Sequence, residues 1–469
     1  MEKRNKTYVE DSDRGVYDIK DDFQYDYKSE TGLTEEIVRD ISKRKNEPEW
    51  MLEHRLDSLK KFYEIDNPTW GPDLSGLDIN EIITYVNPGS NMETSWDDVP
   101  SYIKDTFDRL GIPEAERKSL AGVGAQYDSE VVYHSVKEEL VEQGVIYTDI
   151  ETALKEHEDL LKEYFMNVIP NNDHKWAALH GAVWSGGSFV YVPEGVDVDI
   201  PLQSYFRLNA PGAGQFEHTI IIIEKGARCH FIEGCSAPIY SVNNLHAGLV
   251  ELYVKEDGYL RYSTIENWSK NMYNLNTKRA IVDKNGVIEW ISGSFGSKVG
   301  MLYPMSILKG EGAKAEFTGV TFAGKGQILD TGCKVVHAAP NTTSNVISKS
   351  ISKSGGEAVY RGLLTIAPNA HGSKSTVTCE SLMLDSESKS DTIPVIDIQN
   401  DDVDLGHEAK IGRISEDAIF YLMTRGISEE EAKAMIVRGF VEPISKELPL
   451  EYAVEMNNLI TLELEGTIG

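Results

Sequence analysis

The sequence predicts a mainly β fold with helical ends, its centre built from stacked strand-and-turn coils. Three observations carry this. Helical periodicity rules the first third and disappears from about Ala178. Short alternating segments fill the middle, and amphipathic helices return after about Arg413. Within the middle, a charged turn ending in glycine recurs at Gly226, Gly258, Gly286 and Gly312, at intervals of 32, 28 and 26 residues. Each glycine leads into an alternating segment: 227–231, 259–262, 287–290 and 313–317. All-strand repeats of this length favour a β-solenoid, whose coils stack on their neighbours, over an antiparallel sandwich, whose strands would also alternate. The chain thus divides into a helical or mixed region 1–177, a solenoid core 178–412 and a helical region 413–469.

Taken in order, Asn46 is expected to cap a helix with Pro48 in its first turn and Trp50, Leu52, Leu56, Leu59 and Phe62 on one face. Further helical signals cover 101–110 and 148–165, and Pro68, Pro72 and Pro88 mark irregular connections. Residues 121–134 fit neither period, whereas 188–192 and 196–202 read as strands. At the far end, Ser415 starts a helix that buries Ala418, Ile419, Leu422 and Met423 and closes at Gly426. Ser428 and Glu431 form a capping box for a second, striped by Ala432, Met435 and Ile436. A third helix, 448–464, is entered through Pro449. Such helices pack first on each other and on the solenoid, and form a module able to dock a partner.

Charge narrows the function. Lys plus Arg is 46 against 76 for Asp plus Glu, a net charge of -30, which repels nucleic acid and anionic lipid. Residues 1–13 lack the apolar stretch of a secretory signal, and the most apolar run, 219–223, is too short for a bilayer; a soluble, cytoplasmic protein is expected. Gly324-Lys325 is followed by Gly326, not Ser or Thr, so there is no phosphate-binding P-loop, and no G-x-S-x-G elbow exists.

The four cysteines form no C-x-x-C pair, which excludes a zinc ribbon or a self-contained ferredoxin site. Cys229 reads as core filler and Cys333 as structural, while Cys379 is open between filler and function. Cys235, between Gly234 and the run Ser236-Ala237-Pro238, reads as a thiol aimed by a stiff turn. His407-Glu408 follows Gly406 and suits a bend, because neighbours on an extended strand point to opposite faces. With a thiolate from elsewhere the pair would offer iron nitrogen, oxygen and sulfur ligands. The acidic run 401–404 reads as a solvated loop rather than a metal patch.

The run Ile232-Glu233-Gly234-Cys235-Ser236-Ala237-Pro238 resembles the SufB/SufD family of the SUF iron–sulfur cluster assembly system, on its SufB side. So do Asn46-Glu47-Pro48-Glu49-Trp50-Met51, Ser185-Gly186-Gly187-Ser188, Tyr205-Phe206-Arg207-Leu208-Asn209-Ala210, Tyr360-Arg361-Gly362-Leu363 and His407-Glu408-Ala409, which spread the resemblance over most of the chain. It implies a right-handed parallel β-helix between helical ends and a non-hydrolytic scaffold rather than an enzyme. It further implies partnership with the ABC-type ATPase SufC on the C-terminal helices, and with SufD or a second SufB. A cysteine desulfurase with its sulfur carrier would deliver persulfide sulfur to Cys235. Arg207, Asn209, Glu266, Trp268 and Lys278 would line the sulfur path. Cys379, His407 and Glu408 would hold a transient Fe–S cluster destined for apo-proteins. Cluster type and a role for reduced flavin (FADH2) stay open.

Cationic neighbours such as Arg207 or Lys278 are expected to lower the Cys235 pKa. Three departures stand out. Glu266 replaces a Gln common in relatives, Gly406 replaces an acid found in some, and the N-terminal cysteine motif of some relatives is missing. The competing classes are a β-helix carbohydrate-active enzyme, which needs clustered carboxylates and an aromatic groove, and a purely structural interaction protein.

Overall fold

Strand direction decides between the two β architectures. Arg228–Ser236 pairs with Tyr259–Asn267, which pairs with Val287–Phe295, and the ladder continues through Lys314–Ala323, Thr343–Ser352, Ser373–Met383 and Val403–Arg413. Every one of these pairs is parallel and in register, which a meandering antiparallel sandwich does not allow. The computed structural model is therefore a β-solenoid of about 8 turns with helices at both ends, 39% strand and 25% helix, so mainly β as expected. It describes residues 18–20, 24–90, 92–109, 120–448 and 450–465. The expectations for 1–13, Leu110 and Pro449 lie outside the described residues.

Register turns a two-residue period into columns. Val192, Ile223, Val254, Val282, Leu308, His337 and Ile366 stack inside the solenoid, each at most 1% exposed. Each apolar member buried this way is worth about 1.5–3 kcal/mol. The next member, Ile398, is 49% exposed. The column is covered at one end and open at the other.

The recurring turns divide their work between two residue types. Gly226 and Gly312 take left-handed φ themselves (65° and 72°). In the other two turns Asp257 and Asn285 take it, and the glycine that follows makes room: a Cβ on Gly258 would sit 3.0 Å from the Lys255 carbonyl oxygen.

The N-terminal helices differ from expectation in a telling way. Thr34 caps a helix at Glu35–Lys45, and Asn46 ends it with φ 52°; the next helix, Glu49–Glu64, starts after Pro48. Asn is a helix stop here because it tolerates the left-handed region. The buried face is also rotated, to Met51, Arg55, Ser58, Leu59 and Phe62, leaving Trp50, Leu52 and Leu56 half-buried. Arg55 is drawn inside by Glu47 and by the carbonyls of Ala182 and Trp184 at the end of helix Lys175–Val183. Residues 121–134 belong to a hairpin, Gly122–Tyr127 with Glu130–Val136, whose first strand adds in parallel to Leu202–Arg207. The 148–165 signal resolves into the end of strand Ile146–Asp149 and two short helices, Ile150–Glu156 and Glu158–Tyr164.

At the other terminus Ser415 and Ser428 cap helices Glu416–Met423 and Glu429–Ser445 as expected. The latter and Leu450–Glu465 lay Val437, Val441, Met456 and Ile460 against outward-facing Ile232, Ile265 and Phe322. Met423 and Met435, expected inside, are exposed: helix Glu416–Met423 buries Ile419, and helix Glu429–Ser445 buries Ala432, Ala434, Val437, Val441 and Ile444. Phe420 and Tyr421 are 68% and 58% exposed. No described helix is long and apolar enough to cross a membrane.

Candidate functional site

Cys235 is aimed by the pleat of a strand, not by a turn. Alternation along Arg228–Ser236 sends Cys229, Phe231, Glu233 and Cys235 into the solenoid and Ile232 outward. Gly234 has no left-handed φ; a Cβ there would lie 2.5 Å from the Tyr205 ring, so the glycine serves close packing. Phe206 and Glu266 flank Cys235 in the neighbouring coils.

Around the sulfur lies a buried polar cluster. Glu233 Oε1 is 3.9 Å from Cys235 Sγ. Lys278 Nζ lies 2.8 Å from Glu233 Oε1, 3.5 Å from Glu266 Oε1 and 3.2 Å from Thr264 Oγ1. The Tyr262 hydroxyl donates to Glu233. Asn274 and Asn276 donate to Glu266 at 2.7 and 3.1 Å. His246 pairs with Glu217, contacts Asn274 and rests on the Trp268 ring, with centroids 4.5 Å apart.

These charges reverse the expected effect on the thiol. Burial, then Glu233, Glu217 and Glu266, push the Cys235 pKa well above the ordinary value, with only Lys278 opposing. Burial also disfavours charge on Lys278 and His246, but the carboxylates beside them outweigh it and hold both pKa values up. Lys278 thus serves two carboxylates. Arg207 turns to Ser236 Oγ (3.0 Å) and the Ile19 carbonyl (2.8 Å). Asn209 binds Asp128 through its backbone and Tyr25 through its side chain. Of the five expected path residues, then, Glu266, Trp268 and Lys278 share the interior with Cys235.

Cys379 stands five strand steps along the ladder, roughly 24 Å at about 4.8 Å per step. Tyr262, Trp290, Phe317 and Val346 belong to an apolar column of the core that runs from Phe231 to Val377, two residues to the side of Glu233 and Cys379. Val377 pairs with His407 and Cys379 with Ala409, so Cys379 and His407 project to the same side of their sheet, the Cys379 Sγ 3.9 Å from His407 Nε2. Burial pushes the Cys379 thiol up to about 11, with a Tyr360 hydrogen bond pulling the other way. Cys333 lines the same pocket as Tyr360 and His407. His407-Glu408 forms no bend. It lies within strand Val403–Arg413, so Glu408 points to the opposite face, where its carboxylate meets Lys410 Nζ at 3.0 Å. Among the described residues no group of three His, Cys, Asp or Glu is placed to hold a metal ion. Next to the Cys379–His407 pair the last coil leaves Ile393, Val395, Ile396, Ile398 and Ile411 between 38% and 50% exposed.

Glu233, Glu217, His246 and Tyr262 are site residues that sequence reasoning missed. Glu233 was visible in principle, two residues before Cys235 on an alternating strand and so on its face. The others join only through coil register.

Comparison with known proteins is specific. Residues 206–440 match the family model for the SufBD core domain of SUF-system FeS cluster assembly, and 100–204 match the SufBD N-terminal region. An iron–sulfur cluster assembly SufBD family protein of Staphylococcus aureus (strain MRSA252) is 56% identical over 453 residues, 97% of each chain. Its counterpart in Staphylococcus saprophyticus is 56% identical over 443 residues, 94% of this chain and 95% of that one. These names do not separate SufB from SufD.

Proposed function

This chain belongs to the SufBD family of the SUF iron–sulfur cluster assembly system, and from that membership together with the Cys235-bearing run 232–238 we propose that it is the SufB-type scaffold. In this reading Cys235 accepts persulfide sulfur from a cysteine desulfurase and its carrier. A transient Fe–S cluster, the cargo, is then built at Cys379 and His407 and passed to apo-proteins. The observation that carries the reading is the Cys379–His407 pair at 3.9 Å beside an uncovered coil. Thiolate and imidazole are ligands that iron accepts, and the remaining positions need donors from elsewhere.

Glu408 faces away from the pair within one chain, so we assign completion of the site to assembly, with SufD or a second SufB seated on the exposed Ile393, Val395 and Ile411 surface. The exposed Phe420, Tyr421 and Met423 support docking of the SufC ATPase on the 413–469 module, which supplies nucleotide chemistry that a chain without a P-loop motif lacks. In this reading sulfur moves past Glu266, Trp268 and Lys278 toward Cys379 along the register column Thr264, Ser292, Gly319 and Ser348, beside the packed Trp290 and Phe317. The scaffold works in the cytoplasm, and reduced flavin (FADH2) is a candidate electron donor, tested by flavin analysis of the anaerobically purified complex. The carboxylates around Cys235 do not form a carbohydrate-active cleft: Glu217, Glu233 and Glu266 are at most 2% exposed and paired to His246 or Lys278.

Anaerobic reconstitution of the full chain with SufC, iron and sulfide tests the reading. A visible-absorbing chromophore is expected, and Cys379→Ala and His407→Ala should abolish or shift it. No chromophore in the wild-type complex would sink the scaffold role. Unchanged spectra in both variants would sink the ligand assignment alone.

A further inference from the structure

We propose that Glu233 is the proton acceptor that converts the Cys235 thiol into a nucleophile, an assignment that rests on reading Cys235 as the sulfur acceptor. Glu233 Oε1 lies 3.9 Å from Sγ, within reach of the thiol proton. The same carboxylate is pinned by Lys278 Nζ at 2.8 Å and by the Tyr262 hydroxyl, so it cannot swing away. It is fully buried, out of competition with water.

The need for a local base follows from the charges that face the sulfur. Glu233 comes from its own strand, Glu266 and Tyr262 from Tyr259–Asn267, and Lys278 from Thr277–Val282. Glu217 and His246 approach as a pair, whereas Tyr205 and Arg207 are level with Gly234 and Ser236, on the opposite face of the sheet from Cys235. Arg207 is committed to Ser236 and Ile19. Three carboxylates, Glu233, Glu217 and Glu266, therefore act on the thiol, opposed by Lys278. Losing the thiol proton to solvent would add one more negative charge to a dry, already negative cavity. Passing it to Glu233 leaves the total unchanged, and in a low-dielectric interior that difference dominates. The raised Cys235 pKa is the same argument seen from the thiol.

The step balances without an oxidant. Cys235 gives its proton to Glu233 while Sγ attacks the outer sulfur of a persulfide, R–S–SH. The new S–S bond forms as the donor's S–S bond breaks, and that electron pair leaves on R–S⁻. Glu233 then returns the proton to the departing thiolate, so R–SH leaves, Cys235 carries the persulfide and the carboxylate is restored.

The test treats the full chain with glutathione persulfide between about pH 6 and 9 and follows the mass of the Cys235 peptide, with iodoacetamide alkylation in parallel. Glu233→Gln keeps the side-chain shape and one acceptor oxygen, enough for Lys278 or Tyr262 but not for both, because the two bind different oxygens of the carboxylate. It should slow loading by about 100-fold or more. Its rate should also climb with pH, because hydroxide must now take the proton. Glu233→Asp should restore much of the rate and the wild-type pH profile, and it carries the test if the Gln variant fails to fold. Loading of Glu233→Gln at the wild-type rate and pH profile would overturn the proposal. Slowed alkylation in Glu233→Gln, with no persulfide loading even in wild type, would uphold Glu233 as the base and remove the sulfur-acceptor reading instead.

Discussion

Near the first coils, His218 stacks on Phe165 with one ring nitrogen 2.9 Å from His180 and the other 3.1 Å from Glu251. Glu251 in turn accepts the backbone N–H groups of Met166, Val168 and Ile169 at 2.7 to 2.9 Å. At the last coil, Ile396, Ile398 and Ile411 are 43% to 49% exposed. One end has the polar demands of this network met by helix Lys175–Val183 and by the 166–169 turn that cover it; the other shows the apolar side chains that an interior column would bury. A satisfied network stabilises the chain that holds it, whereas an open column end is stabilised only when something covers it. The two thiols follow the same division: Cys235 lies deep among charges, and Cys379 lies by the open end.

The largest effect is expected at the covered end. Arg55→Ala strands Glu47, 1% exposed, and two carbonyls, and should cost about 3–5 kcal/mol in denaturant unfolding. A loss below about 1 kcal/mol would mean that the helices are held some other way. At the open end, Val395→Asp with Ile411→Asp should change folding stability by less than about 0.5 kcal/mol per site. The same pair should weaken association with SufD or a second copy by more than about 2 kcal/mol in sedimentation velocity. Unaltered association would remove the interface.

Acid should sharpen the contrast. Burial above all holds His54 and His174 down to about 4 and His218 to about 3, against 6.5 when exposed. Because these folded pKa values lie below the unfolded one, the unfolded chain binds protons first. Their contribution is complete above about pH 6.5 and is lost as pH falls toward 4, by up to about 1.4 kcal/mol per pH unit for each histidine. Protection against hydrogen exchange, corrected for the intrinsic rate, should therefore fall on acidification in Glu49–Glu64 and Lys175–Val183 before Val287–Phe295; the reverse order would contradict the assignment. The smallest effect is at Cys379. With its thiol near 11, alkylation should still rise about tenfold per pH unit between about pH 8 and 10, where an ordinary thiol levels off.

Much of the fold was legible because its signals are local. Turn glycines at Gly226 and Gly312 and two-residue alternation are properties of a few adjacent residues, and they predicted the stacked coils. Asn46 was misread because one residue type both starts and stops helices, and only backbone conformation tells which. Met423 and Met435 were misplaced because a helical stripe does not reveal which neighbour it meets. The Cys235 turn and the His407 bend were both strands, since glycine beside them served packing or nothing local.

Order along the chain by itself determined the solenoid, the helical ends, the missing nucleotide motif and the membership that the run around Cys235 and the other matching motifs suggested. Only the tertiary structure decided what surrounds those thiols. Glu266, Lys278 and His246 meet Cys235 from other coils, and His407 meets Cys379 from the next one, because parallel register stacks residues about thirty positions apart at roughly 4.8 Å. The pKa of a buried sulfur follows from such neighbours and from the absence of water, and neither is written in any local stretch of sequence.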